Sequence, residues 1–299
     1  MTDTIKADGL IGITLNNINE ELAQKLGSEV IIIRSPIYMG LDDFVRIEIE
    51  TLVAKAKSRR KKLPKLTVLL ETTGGSIEVV ERISNVFRNH FHEVDYIVPG
   101  YAYSAGTVLV LSGDNIYMDY YSVLGPIDPQ IEGEDGKFIP GMGYLYMYEE
   151  LVAKSKEGEI TNAELLFLTK RFDPAIMFVI QQAKNHSEDL IKEWLPKYKF
   201  KHWKQTETRK EKVTMKMKRD RAANIAEILG DASKWHSHGR GITMRELEGN
   251  DIKLKIEDFG SDKELNILIR QYYDLFIDFG RKIGSEYAIH TKYGLRRIG

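Results

Sequence analysis

The sequence predicts an α/β fold organised around a mostly parallel sheet, and three observations predict it. The apolar runs at residues 30–33 (VIII) and 66–70 (LTVLL) are hydrophobic at successive positions, the pattern of strands covered on both faces. Each run is followed by a stretch whose apolar residues recur at helical spacing. Glycine-containing loops separate strand from helix, so the chain reads as repeated βα units with helices on the faces of the sheet.

The first unit pairs the strand at 30–33 with "GLDDFVRIEIETLVAKAKSRRKK". There Leu41, Phe44, Val45, Ile49 and Val53 share a face behind the acidic start Asp42 and Asp43. The second runs from the strand at 66–70 through "TTGGS" into a helix with Ile77, Val80, Ile83 and Phe87 on one side. A third strand at 94–98 reaches "PGYAYSAGTVLVLSG", and a fourth at 115–118 reaches "YYSVLGPIDPQ". From Tyr144 to about Leu229 the pattern is helical, and the basic run in "TETRKEKVTMKMKRDRAANIAEIL" reads as a solvated helix face. A short strand in "IKLKIED" and a last helix from Asp262 to about Phe279 are expected to close the chain. With no repeat, proline-rich linker or low-complexity stretch, residues 1–299 are expected to form one domain, its core at about 28–143 and a helical elaboration at about 144–299.

Composition narrows the function classes. The 299 residues are 42% hydrophobic and 29% charged, enough to bury a full core. The 43 basic and 44 acidic residues leave a net charge of -1, which provides no field for nucleic acid or an acidic membrane surface. The absence of cysteine excludes disulfides, thiolate metal sites and a cysteine nucleophile. No basic leader with an apolar core opens the sequence, and no run approaches the roughly 20 apolar residues of a membrane span, so a cytoplasmic protein is expected.

In an open parallel sheet, chemistry gathers at the carboxyl ends of the strands. Two loops there carry informative residues. In "TTGGS" the adjacent Gly74 and Gly75 either make a tight turn or expose amide groups to a negative oxygen. In "YAYSAGT", Ser104 is either a small turn residue or a nucleophile. It stands 29 positions after Gly75, about one βα repeat, so the two loops are expected side by side. A serine that attacks a carbonyl needs two N–H donors for the oxyanion, and Ala105 with the Gly74/Gly75 amides can supply them.

"ETTGGS", "VPGYAYSAGTVLVLSGDNIYMD" and "SVLGPIDPQI", in this order and spacing, resemble the serine dehydrogenase proteinase family, a branch of the Clp-protease/crotonase superfamily related to signal peptide peptidase. The closest likeness covers about Leu66 to Ile131, and a weaker one continues in "SHGRGIT" and "LEGNDIKL". The resemblance implies a Clp protease/crotonase-like spiral of ββα units with Ser104 as nucleophile and the glycine pair and Ala105 as oxyanion donors. It also implies a peptide or protein substrate, no cofactor, no metal and a homo-oligomer.

The base is less direct. Clp proteases place a histidine shortly after the serine, whereas this chain has none between His92 and His186. The proteinase family orders its triad Ser, Asp, His, which selects Asp128 in "GPIDPQ" and His238 in "SHGRGIT", with His236 in reserve. On residues alone, Asp128 between two prolines also suits a turn cap, and the two histidines also suit a surface turn. A Ser–Lys dyad using Lys154, Lys156 or Lys170 is a weaker route, since none lies in a matching motif. A crotonase-like acyl-thioester hydrolase or hydratase would use the same oxyanion hole without Ser104, and a catalytically silent oligomeric scaffold would use neither. No G-x-G-x-x-G fingerprint supports nicotinamide chemistry.

Overall fold

A seven-stranded sheet organises the molecule. Its order is Glu257–Asp258, Ile116–Met118, Phe91–Ile97, Leu63–Glu71, Glu29–Arg34, Tyr287–Thr291 and Gly294–Ile298. The computed structural model describes residues 7–56, 63–132, 138–206, 208–235, 237 and 239–298. The first five strands in that order are mutually parallel, as the βα reading requires, and the last two form an antiparallel hairpin against Glu29–Arg34. Val30, Ile31, Ile32 and Ile33 are all buried, which accounts for their unbroken apolar run.

The two faces of the sheet carry different helices. Ile31, Ile33, Val68 and Leu70 belong to one core with the helices Leu41–Lys55, Ile77–His90 and Ala105–Leu111. Leu190, Ile191 and Leu195 of the helix Pro174–Lys197, and Ile225 and Leu229 of Met215–Gly230, join this same core. Val30, Ile32, Leu69 and Ile97 face the other way, against the helices Ala7–Leu26 and Lys263–Lys282.

Four features differ from the sequence reading. The opening helix Ala7–Leu26 is absent from it, because that segment buries only Leu15, Asn19 and Leu22 and has no strong apolar stripe. Of "IKLKIED" only Glu257–Asp258 is a strand. The chain also continues past its last helix into the hairpin. In the sequence, Ile267, Ile269, Tyr272, Tyr273, Phe276 and Phe279 of that helix read as more apolar surface than one face needs, with part of it expected against another subunit. Ile269, Tyr272 and Phe276 are instead buried against Ala7–Leu26 and the sheet of their own chain, leaving Ile267 47% exposed. The helix is thus covered within its own chain rather than by a second subunit.

A polar network crosses this second core. Asn19 Nδ2 donates to Val30 O at 3.1 Å and to Tyr272 Oη at 2.8 Å; Tyr272 Oη lies 2.7 Å from His290 Nδ1, and His290 Nε2 lies 3.0 Å from Asn16 Oδ1. Burial pushes the His290 imidazole down to about 4. A histidine with a lowered folded pKa binds fewer protons than its unfolded counterpart between about pH 4 and 6.5, so its neutral network stabilises fully above about 6.5 and loses that contribution as pH falls towards 4. Urea midpoints are expected to report a loss of as much as about 3 kcal/mol across that window, and His290→Asn should flatten this part of the profile.

Candidate active site

The 72–76 segment and the 101–106 segment are interlocked through their backbones. Tyr101 O accepts from Thr72 N–H at 3.2 Å, and Tyr103 N–H donates to Thr72 O at 3.0 Å. Each segment carries a glycine where the other leaves no room. A Cβ on Gly74 would stand 2.7 Å from Tyr103 O and 2.9 Å from Ser104 Cβ, while one on Gly106 would stand 2.3 Å from the Thr72 methyl. The expectation that Gly74 and Ser104 lie side by side follows directly from these contacts.

The second glycine is fixed from below. Ile37 N–H donates to Gly74 O at 2.8 Å and Ile37 O accepts from Ser76 N–H at 2.7 Å, so Gly75 passes over Ile37 with φ 144°. A Cβ there would lie 2.0 Å from Ile37 O. Ser76 then caps the helix Ile77–His90 by accepting from Val79 N–H.

Ser104 joins the short strand Tyr101–Ala102 to the helix Ala105–Leu111 with φ 52° and ψ -118°. A positive φ on a serine costs of order 1–3 kcal/mol and persists only where its surroundings impose it. Here Thr107 helps to impose it: its Oγ1 lies 2.9 Å from Ala102 O and 2.8 Å from Gly125 O, and accepts from Gly125 N–H at 3.0 Å. Ser104 is half-buried on this sharp strand-to-helix turn, and its side chain does not cap the helix.

The amides around Ser104 are not equivalent. Gly74 N–H donates to Thr72 Oγ1 at 3.1 Å. Among the described residues, the N–H groups of Gly75 and Ala105 have no acceptor.

The "GPIDPQ" and "SHGRGIT" motifs meet the same structure. Val123–Leu124 pairs in parallel with Tyr101–Ala102 and antiparallel with Ile242–Thr243. Gly125 packs on Tyr103 and Gly241 on Val123 so closely that a Cβ would fall 2.4 and 2.7 Å from those side chains. Asp128 is 2% exposed and accepts from Met142 N–H at 3.1 Å, at the start of the helix Gly141–Glu157. His236 and His238 lie outside the described residues. Their flanks are anchored: Trp235 is buried with its indole donating to Ile228 O at 2.7 Å, and Thr243 forms a capping box with Glu246.

Other candidate bases are placed as follows. Lys154 pairs with Glu164 at 3.0 Å and Glu150 at 3.1 Å, and the hydrogen bond it donates to Glu164 leads the causes that raise its pKa, the wrong direction for a proton acceptor. Lys156 and Lys170 are exposed. His186 Nε2 lies 3.1 Å from Glu81 Oε2, on the helix that starts beside Gly75. Sequence reasoning did not select His186, because it lies in no matching motif.

Sequence reasoning also passed over Glu71, the first residue of "ETTGGS". Its buried carboxylate accepts from Arg34 Nε at 2.8 Å and from the Tyr273 hydroxyl. A Cβ on Gly100 would lie 2.7 Å from Glu71 Oε2. No cluster of three or more metal-ligating side chains and no membrane-length apolar helix occurs among the described residues.

The ClpP-like SDH-type serine proteinase model matches residues 16–208, well over half of the chain and including both interlocked segments. The chain belongs to this family. The match stops short of His236 and His238. Similar curated proteins come from Methanocaldococcus jannaschii: the uncharacterized protein MJ0137 is 34% identical over 96 residues, 32% of each chain. The uncharacterized protein MJ1495 is 30% identical over 133 residues, 44% of this chain and 40% of its own. The matches thus span less than half the length of either relative.

The interlock makes a specific prediction. Gly106→Ala should destabilise the fold by roughly 1–3 kcal/mol through overpacking against the Thr72 methyl. Thr72→Ser removes that methyl and keeps the oxygen that accepts from Gly74, so the double variant should recover much of the loss in denaturant titrations. Absence of recovery would show that the strain arises elsewhere.

Proposed function

We propose that this member of the ClpP-like family is a serine peptidase that cleaves peptide bonds through an acyl-enzyme on Ser104. The observation that carries the proposal is Ser104 itself, held at positive φ on a strand-to-helix turn beside two N–H groups, those of Gly75 and Ala105, that have no acceptor among the described residues. In this reading Ser104 Oγ attacks the carbonyl carbon and passes its proton to an imidazole. The resulting oxyanion takes hydrogen bonds from Gly75 and Ala105 N–H. Collapse of the intermediate expels the amine, which takes the proton, and water hydrolyses the ester by the same route. Gly74, already bonded to Thr72, serves as the packing surface for Ser104 rather than as the second donor.

His238 is the proposed base, His236 its reserve and Asp128 the carboxylate that orients it. The support is that Ile242–Thr243 and Val123–Leu124 bring the two motifs into one small sheet with the serine loop. That small sheet beside the large one also supports the spiral ββα reading. The shared core of residues from both halves of the chain supports a single domain.

Self-association and a cytoplasmic setting belong to the same proposal. For the former, support comes from the helix Asn162–Arg171, which buries none of its residues yet carries Leu165, Leu166 and Phe167, and from the exposed Phe178 and Val179 on the helix that follows it in the chain. Light scattering is expected to give a mass of two or more chains, reduced to one by Leu166→Glu with Phe178→Glu.

A fluorophosphonate probe is expected to label the chain, and Ser104→Ala should abolish labelling and lower peptide hydrolysis by more than about 10³-fold with unchanged melting. Retained hydrolysis in Ser104→Ala would sink the assignment. Parallel alanine variants of His238, His236 and His186 assign the base, because only the true base should cost about 10³-fold or more. Turnover of an acyl thioester that survives Ser104→Ala would favour the crotonase-like alternative.

A further inference from the structure

On the face of the sheet opposite the Ser104 helix, a cavity of about 310 Å³ opens between the helix Ala7–Leu26, the end of the helix Lys263–Lys282 and the closing hairpin. Its lining divides into an apolar part, Phe279, Ile283 and Leu295, and a polar part that includes Asn16, His290 and Arg297. A hollow of this size that sets polar groups against an apolar wall can take a small amphipathic molecule.

The sense of the polar wall follows from its hydrogen bonds. Val30 O can only accept, so Asn19 presents its amide nitrogen there, and that same nitrogen donates to Tyr272 Oη. The Tyr272 proton is then free to point at His290 Nδ1. An imidazole that accepts at Nδ1 carries its proton at Nε2 and donates it to Asn16 Oδ1. His290 stays neutral at ordinary pH because burial holds its pKa near 4, so this order is maintained. The carbonyl of Asn16 is thereby occupied, and its amide nitrogen, with no acceptor among the described residues, is what Asn16 has left to offer.

Arg297 adds the charge. It is exposed and has no acidic partner among the described residues. The carboxylate in the lining, Asp8, is paired with Lys282 at 2.5 Å. The Asn16 amide and the Arg297 guanidinium, neither with an acceptor among the described residues, therefore line the same hollow as Phe279, Ile283 and Leu295.

We propose that this cavity binds a small carboxylic acid with an apolar body, its carboxylate received by Arg297 and the Asn16 amide and its body lying on Phe279, Ile283 and Leu295. A guanidinium meets a carboxylate through paired parallel hydrogen bonds, which makes this cation selective for a planar anion. The site is separate from the proposed peptidase chemistry and does not depend on it.

The test is a calorimetric titration of the full chain with 3-phenylpropanoate, using 3-phenylpropanamide as its uncharged match. Saturable binding at millimolar concentration or tighter is expected, weakened about tenfold or more for the amide and for Arg297→Gln, in line with loss of a charge-assisted pair. Asn16→Asp keeps the oxygen that accepts from His290 while replacing the free donor with an acceptor, and should abolish binding. Ser104→Ala should bind like the parent. Failure to saturate, equal affinity for acid and amide, unchanged affinity in Arg297→Gln, or loss of binding in Ser104→Ala would each overturn the proposal.

Discussion

Backbone packed directly on backbone is the constraint on which the rest of this site depends. Ile37 holds both sides of Gly75, and the Thr72–Tyr103 hydrogen bonds hold the two loops in register. Gly74 and Gly106 let each loop sit against the other without an intervening side chain. Side-chain rotamers can relax when a neighbour changes, whereas a clasp of main-chain groups has few soft coordinates. Such stiffness fits the oxyanion role proposed for Gly75 and Ala105, because dipoles that need no rearrangement stabilise a developing anion most efficiently.

The charged groups around the clasp reinforce it. Glu71 sits at the end of its strand, and its two partners come from distant parts of the chain, Arg34 on the neighbouring strand and Tyr273 on the helix across the sheet. On the other side of the serine loop, Arg270 donates to Pro99 O at 2.6 Å and pairs with Asp119. Burial alone would raise the Asp119 pKa, but the Arg270 hydrogen bond and the amides of its own turn outweigh it and hold the carboxyl below its usual value. Both loops are therefore tied to the helix Lys263–Lys282 on the far face, and that helix positions the site without reaching it.

The parallel strands were legible because burial on both faces leaves an unbroken apolar run, as in residues 30–33, and helices such as Ile77–His90 because their apolar stripe is strong. The adjacency of Gly74 and Ser104 was legible for a topological reason, since consecutive parallel strands place their following loops together. Ala7–Leu26 was not legible, because its few buried residues give little periodic signal. Nor was the hairpin, whose outer strand Gly294–Ile298 buries only Ile298 and so lacks an apolar pattern. The roles of Ile37 and Thr107 were hidden for another reason: one acts through its main chain and the other through a hydroxyl bridge, and neither depends on a pattern that spacing reveals.

The late-arriving hairpin has a consequence for how the molecule is made. Glu29–Arg34 lies in the interior of the finished sheet, between Leu63–Glu71 and Tyr287–Thr291, yet the strand that covers it is synthesised more than two hundred residues later. On the ribosome, an apolar strand with one edge of unpaired amides must wait through the synthesis of all those residues for this neighbour. Pairing over so long a separation in sequence also makes closure of the sheet a slow step, because a large loop must be ordered before any contact rewards it. The nascent chain is thus most vulnerable to wrong strand pairing at residues 29–34, and a general chaperone that shields extended apolar segments would act there first.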